Sequence, residues 1–174
     1  MEHHARHTTM ALCFIGLRRS EISGLKWSCV DFERGEIRIE QAAWNGKAKS
    51  TKNEQSKGVI AFGDVVRASL TRWRSLSDPT ASFVFQNEVG GPLELGTYAA
   101  RHLRFAFKFA GLEWRGYHAG RRGAVTAQRD TADARAVAAN MRHSEEVLRK
   151  HYDKGNAEAA RAAALAFEAS IVDS

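Results

Sequence analysis

His118-Ala119-Gly120-Arg121-Arg122, followed by Met141-Arg142-His143 and by Leu148-Arg149-Lys150-His151-Tyr152, is the stretch that decides how this chain reads. Two histidines, an arginine and a tyrosine fall in a fixed order inside 35 residues. Gly16-Leu17-Arg18-Arg19-Ser20-Glu21 supplies a second arginine of the same look. Taken singly, Arg18 is an ordinary surface charge, His143 a helix-start residue and Tyr152 an amphipathic residue on a helix face; the order and spacing carry the argument. Guanidinium groups are planar, permanently charged, bidentate donors that match phosphate oxygens in a way lysine cannot. A phenol, with a pKa of about 10 in water, attacks at neutral pH only beside a base or in a strongly positive site. The set therefore reads as a phosphate clamp with a tyrosine nucleophile.

Working outward, 174 residues with 44% hydrophobic and 26% charged content describe one globular domain. No apolar run reaches the roughly 18 residues of a membrane span, and Met1–Met10 lacks a signal-peptide pattern. Cys13 and Cys29 have neither metal spacing nor a disulfide framework. His3, His4 and His7 have no matching carboxylates or cysteines downstream and are not read as a metal site. The net charge is +6, and residues 101–150 hold 11 Lys/Arg against 5 Asp/Glu, so the rest, with 15 of each sign, cancels. A basic zone of this kind faces a polyanion, most commonly nucleic acid, or is a solvated surface; charge alone leaves both open.

Periodicity predicts a helix over 5–17 ending near Gly16, and a short helix opened by Ser20-Glu21 carrying Ile22, Leu25 and Trp27. Residues 35–41 alternate as a strand, Asn45-Gly46 marks a turn, 47–57 is polar, and Val59–Phe62 returns, giving a small antiparallel sheet. Asp64 is placed to cap a helix bearing Val66, Leu70 and Trp73, broken by Asp78-Pro79, and Gly90-Gly91-Pro92 reads as an exposed turn. Over 96–110, Leu103, Ala106, Phe107 and Ala110 form one helical face and Arg101, Arg104 and Lys108 a basic stripe opposite; Phe105 and Phe109 fit neither. Further helices are expected over 118–128, 133–140, 144–151 and an alanine-rich tail over 157–170.

These motifs make the chain resemble the catalytic domain of the tyrosine recombinase (phage integrase) family. The resemblance runs from Ala11 to the tail. It rests on Gly16–Ile22 with Leu25-Lys26-Trp27, on Ser50-Thr51-Lys52 of the predicted hairpin, on His118-x-x-Arg121, on His143 and on Tyr152 nine residues later. Arg121 and His143 stand 22 residues apart, as in the family. It implies a clamp of Arg18 and Arg121 with a hydrogen bond from His143, Tyr152 as nucleophile, His118 as its proton acceptor and Lys52 as general acid, with Lys47, Lys49 and Lys57 as neighbours among which that role could shift. Glu21 would buttress the clamp or cap its helix; Arg101, Arg104, Lys108, Arg122 and Arg142 would contact DNA. Four departures stand out: Arg142 replaces a usual glycine, Gly58 a usual arginine and Gly120 a bulky apolar residue, and the chain starts almost at the catalytic domain, without the family's N-terminal DNA-binding domain.

The resemblance implies one α+β, mostly helical catalytic domain over residues 1–174 with a small antiparallel sheet at one edge. It implies a site-specific recombinase or integrase of mobile DNA that cleaves and rejoins strands through a 3′-phosphotyrosyl intermediate, with no metal and no cofactor. Double-stranded DNA is the implied partner, with self-association into a tetrameric synapse on it, no membrane, and a cytoplasmic, prokaryotic or phage-encoded setting. Leu165, Phe167 and Ile171 of the tail would serve assembly. Two rivals share these residues: relaxation of supercoils in the manner of a type IB topoisomerase, and a DNA-binding module that has lost catalysis.

Overall fold

The computed structural model describes residues 2–50 and 58–129. Lys52, Arg142, His143, Tyr152, the helices expected beyond residue 129 and the tail lie outside the described residues. The fold is α+β and mostly α. Helix α1 (Glu2–Phe14) stops where Gly16 takes φ 105°, a left-handed conformation that glycine adopts without Cβ strain, as expected. Helix α2 spans Arg19–Gly24. It is shorter than expected: Leu25 is already extended, and Trp27 lies in a separate 3₁₀ turn, Trp27–Cys29.

Strands β1 (Val30–Asp31), β2 (Glu36–Ile39) and β5 (Gly58–Ala61) form one antiparallel sheet, with Ile37 opposite Val30 on one side and Ile60 on the other. The alternation over 35–41 gave β2, since Ile37 and Ile39 point into the core. A second, two-stranded sheet was not expected. Strands β3 (Gln41–Trp44) and β4 (Lys47–Ser50) pair with Trp44 opposite Lys47, around a two-residue turn in which Asn45 and Gly46 have φ 49° and 70°. Trp44, Lys47 and Ala48 are exposed, so β4 has no apolar face to betray it. The hairpin sits on α2: the Gln41 side-chain amide donates to the Gly24 carbonyl (2.7 Å), and a Cβ on Gly24 would stand 2.9 Å from the Ala42 backbone.

Helix α3 (Asp64–Leu76) is capped by Gly63 and not by Asp64, which occupies the first helical turn, where its charge suits the helix dipole. Val66 and Leu70 are buried, and Trp73 stacks on Phe85 at 5.8 Å while donating to the Val84 carbonyl. Against α1, Ser69 Oγ lies 2.9 Å from Thr8 Oγ1 and 3.1 Å from His7 Nδ1, so His7 is a helix-packing residue. Of the expected turn, Gly90 is exposed, but Pro92 is buried and bridges to Gln86.

The next helical stretch is α4 (Leu95–Tyr98), a π-turn at Ala99–Leu103, and α5 (Arg104–Phe109). The π-turn shifts the face that the helix buries. Leu95, Tyr98, Ala99 and Leu103 are core, whereas Ala110 is exposed, contrary to the expected stripe. Phe105 and Phe109 are 68% and 87% exposed, which is why no core face accommodates them. Helix α6 (Tyr117–Arg129) packs on α1. Among the described residues no helix is long and apolar enough to cross a membrane, and no group of His, Cys, Asp or Glu could hold a metal.

Gly120 marks the closest approach of α6 to α1. A Cβ there would stand 2.8 Å from Cys13 Sγ, inside any real contact distance. This is the space that the family's bulky apolar residue would need, and here the thiol fills it. Gly120→Val is expected to destabilise by about 1–3 kcal/mol through overpacking. In a Cys13→Ala background the same change should cost measurably less, because the sulfur is gone. Urea unfolding of the two single variants and the double variant tests this; additive losses would show that the two positions do not compete for space.

Candidate active site

Three elements meet at one cleft of about 450 Å³, lined by Arg18, Arg19, Ser20, Trp44, Arg104 and His118 among others. The first comes from the loop after α1. Arg18 precedes α2, where its backbone N–H donates to Glu21 Oε2 (2.8 Å) and its Nη1 donates to Glu21 Oε1 (2.7 Å). Glu21 is only 4% exposed. One carboxylate thus caps α2 and aims a half-exposed guanidinium.

The second element is α6. Gly116, Tyr117 and His118 at its start line the cleft, bringing the positive end of the helix dipole near it. Helix α6 is anchored by three side chains. Cys13 Sγ donates to the Tyr117 carbonyl (2.9 Å); burial pushes this thiol up to about 11, so it stays protonated and can donate. The Tyr117 hydroxyl donates to the Leu95 carbonyl (3.1 Å), and burial raises its pKa, so the phenol remains neutral. Arg121, only 6% exposed, donates from Nη1 to the Gly16 carbonyl, 105 residues away in sequence. From this buried position Arg121 holds the loop that presents Arg18. His118 is exposed at the cleft.

The third element is the helical stretch α4–α5, which contributes Gly96, Ala99, Ala100 and Arg104. Arg101 and Lys108 are exposed on the same stretch but outside the cleft lining, as is Arg122 on α6. The connection to α6 is set by aromatic edges: Trp114 meets Phe107 at 5.0 Å and Tyr117 at 5.2 Å, placing Arg115 and His118 along one wall. Of the site residues expected from the sequence, Arg18, Arg104 and His118 line the cleft, whereas Arg121, expected beside Arg18 in the clamp, is buried and is not among the lining residues. Sequence reasoning missed Arg19, Trp44, Trp114 and Arg115. The signals were there for two of them: Arg19 adjoins Arg18, and Trp44 immediately precedes Asn45-Gly46.

Four guanidiniums, Arg18, Arg19, Arg104 and Arg115, and the His118 imidazole line one open cleft, a set of groups that could hold an anion. The phage integrase family model matches residues 2–158. The chain belongs to the phage integrase family. Its fold is that of known members and related recombinases. The Tn1549 transposon integrase in complex with circular intermediate DNA superposes with a TM-score of 0.69 at 22% identity, covering 91% of this chain and 58% of that one. XerA recombinase gives 0.68 at 18% identity, covering 91% and 54%. XerH site-specific recombinase, bound to its difH substrate before cleavage, gives 0.61 at 20% identity, covering 91% and 45%. This chain thus spans about half the length of these similar structures. No curated protein matches it.

Proposed function

We propose that this chain is the catalytic domain of a tyrosine site-specific recombinase that cleaves and rejoins DNA strands. The observation that carries this is the convergence of Arg18 and Arg121 on one loop. Glu21 aims the first and the Gly16 carbonyl holds the second, with His118 on the same cleft. A buried carboxylate and a helix-borne arginine fixing one short loop is costly architecture for an ordinary surface.

The chemistry follows from the residue types. The scissile phosphate takes its place against Arg18 and Arg121, which neutralise its non-bridging oxygens, with His143 adding a hydrogen bond. Tyr152 Oη attacks phosphorus and its proton passes to His118. The bond to the sugar 5′-oxygen breaks, and that oxygen takes a proton from Lys52. The 3′-phosphotyrosyl bond conserves the phosphodiester's energy, so a 5′-hydroxyl of another strand can reverse the step. Tyr152 is also favoured by elimination. Of the three tyrosines in the sequence, Tyr98 and Tyr117 are buried in the core, and the Tyr117 hydroxyl is already committed to Leu95.

Double-stranded DNA is the proposed partner, bound through the cleft and through Arg101, Arg104, Lys108, Arg122 and Arg142, with self-association on DNA for strand exchange. A suicide duplex, nicked so that the cleaved end diffuses away, tests the reading. A covalent protein–DNA band on a denaturing gel, formed equally in chelator, is expected. Retained binding without the band would make this a DNA-binding module, and strict magnesium dependence would point to a metal nuclease. Relaxation of a supercoiled plasmid without strand exchange would favour the topoisomerase activity.

Reversing the charge at Arg101, Arg104 and Lys108 is expected to weaken binding to all sequences alike. The slope of log K against log salt should become shallower by about 0.9 for each phosphate that is no longer neutralised. Binding titrations at several salt concentrations measure this. A loss confined to one target sequence would instead mark these side chains as base readers.

A further inference from the structure

Arg19 is not used in the mechanism above, yet it touches three elements. It is the first residue of α2, next to Arg18. Its guanidinium carbon lies 4.4 Å from the centre of the Trp44 ring at the end of β3. Its Nη1 lies against Gly96, where an added Cβ would stand 2.9 Å from it. There Glu94 caps α4 by accepting from the Gly96 and Thr97 amides. Burial pushes the Glu94 carboxyl up, but those amides and the charge of Arg19 outweigh it and hold it below the ordinary carboxylate range. Trp44, by contrast, is 62% exposed, and the guanidinium of Arg19 lies over its ring.

We infer that Arg19 is a positioning residue, a latch that stacks on Trp44 and holds the β3–β4 hairpin against the cleft beside Arg18. The base of the hairpin is already tied to α2 through Gly24 and Gln41. The latch fixes its far end, next to the Asn45-Gly46 turn. A planar guanidinium suits this task because it can stack on an indole with its face while its edge stays near a carboxylate. The consequence for the reaction rests on the function proposed above: Lys52 follows the last residue of β4 by two positions in the sequence, so loss of the latch is expected to act on the general-acid step.

A lysine-specific protease acting on the whole chain tests the latch without reference to activity. Arg19→Ala and Trp44→Ala should each speed cutting after Lys47 and Lys49 by about threefold to fivefold, the size of an exposed cation–π contact. Cutting after Lys26 and Lys108 should not change. Arg19→Lys should lie between, and Gly96→Ala, which crowds Nη1, should act in the same direction. Unchanged hairpin cutting, or equal acceleration at every lysine, overturns the inference.

The second arm uses nicked DNA whose scissile 5′-oxygen is replaced by sulfur, a leaving group that needs no proton. Arg19→Ala should lose about fivefold in cleavage of normal DNA and recover most of it on the sulfur substrate. Lys52→Ala, run beside it, is the control on the mechanism. If it shows no sulfur rescue, the general-acid assignment fails while the protease result still judges the latch. If Lys52→Ala is rescued and Arg19→Ala is not, the inference falls. It falls also if Trp44→Ala weakens DNA binding but leaves cleavage of bound DNA intact, since Trp44 would then be a DNA contact.

Discussion

Tyr152→Phe is expected to abolish the covalent protein–DNA band on a suicide duplex while leaving DNA affinity nearly unchanged. Only one oxygen is removed, and it is the atom proposed to bond phosphorus. The effect should be all or none, because no other phenol can stand in. Tyr117 sits at the cleft but is buried, its hydroxyl donates to the Leu95 carbonyl, and burial keeps it protonated. Tyr98 is buried in the core beside His102, with ring centres 4.8 Å apart. Tyr117→Phe and Tyr98→Phe are therefore expected to keep the covalent band. Tyr117→Phe should lose about 1 kcal/mol of stability with its hydrogen bond. A band that persists in Tyr152→Phe, or one that disappears in Tyr117→Phe at unchanged folding, would move the nucleophile and the proposed alignment with it.

The parts of this fold that were legible in the sequence are those where burial imposes a period. Helix α3 shows it in Val66 and Leu70, β2 in Ile37 and Ile39, and the end of α1 is marked by a glycine whose φ of 105° few other residues would accept. Strand β4 was illegible because its sequence, Lys47-Ala48-Lys49-Ser50, has no large apolar residue to set a period, and Lys47 and Ala48 are exposed. Its existence follows from the Asn45-Gly46 turn and from α2 beneath the hairpin. The stripe over 96–110 was misdrawn at its end because a π-turn adds a residue to one turn and rotates everything after it. At the site, motif spacing identified the arginines but not their unequal stations. Arg18 is half-exposed on the cleft, while Arg121 is buried. Nothing in a spacing pattern distinguishes the two, because the difference comes from α6 crossing α1 at Cys13 and Gly120.

That inequality leads to the second large effect. Arg121→Lys is expected to slow strand cleavage by about 10²–10³, the loss typical of one preorganised donor at a developing anion. Lysine keeps the charge, so charge alone should not rescue it. The arginine fork spreads its donors over separate nitrogens and can bond the Gly16 carbonyl through Nη1 while directing another donor to the phosphate, whereas the donors of an ammonium all sit on one nitrogen and cannot span both. Gly16 is followed within two residues by Arg18, so losing that bond also loosens the other clamp residue. The combined variant Arg18→Ala/Arg121→Lys should therefore lose less than the product of the two single losses. Neither single variant should recover on DNA with a 5′-sulfur leaving group, because the missing interaction is with the non-bridging oxygens. Single-turnover cleavage at saturating protein separates these effects from binding. Arg121→Lys activity within a few-fold of the parent chain would mean that Arg121 only braces the loop. The clamp would then rest on Arg18 and on the cleft's remaining guanidiniums, Arg19, Arg104 and Arg115.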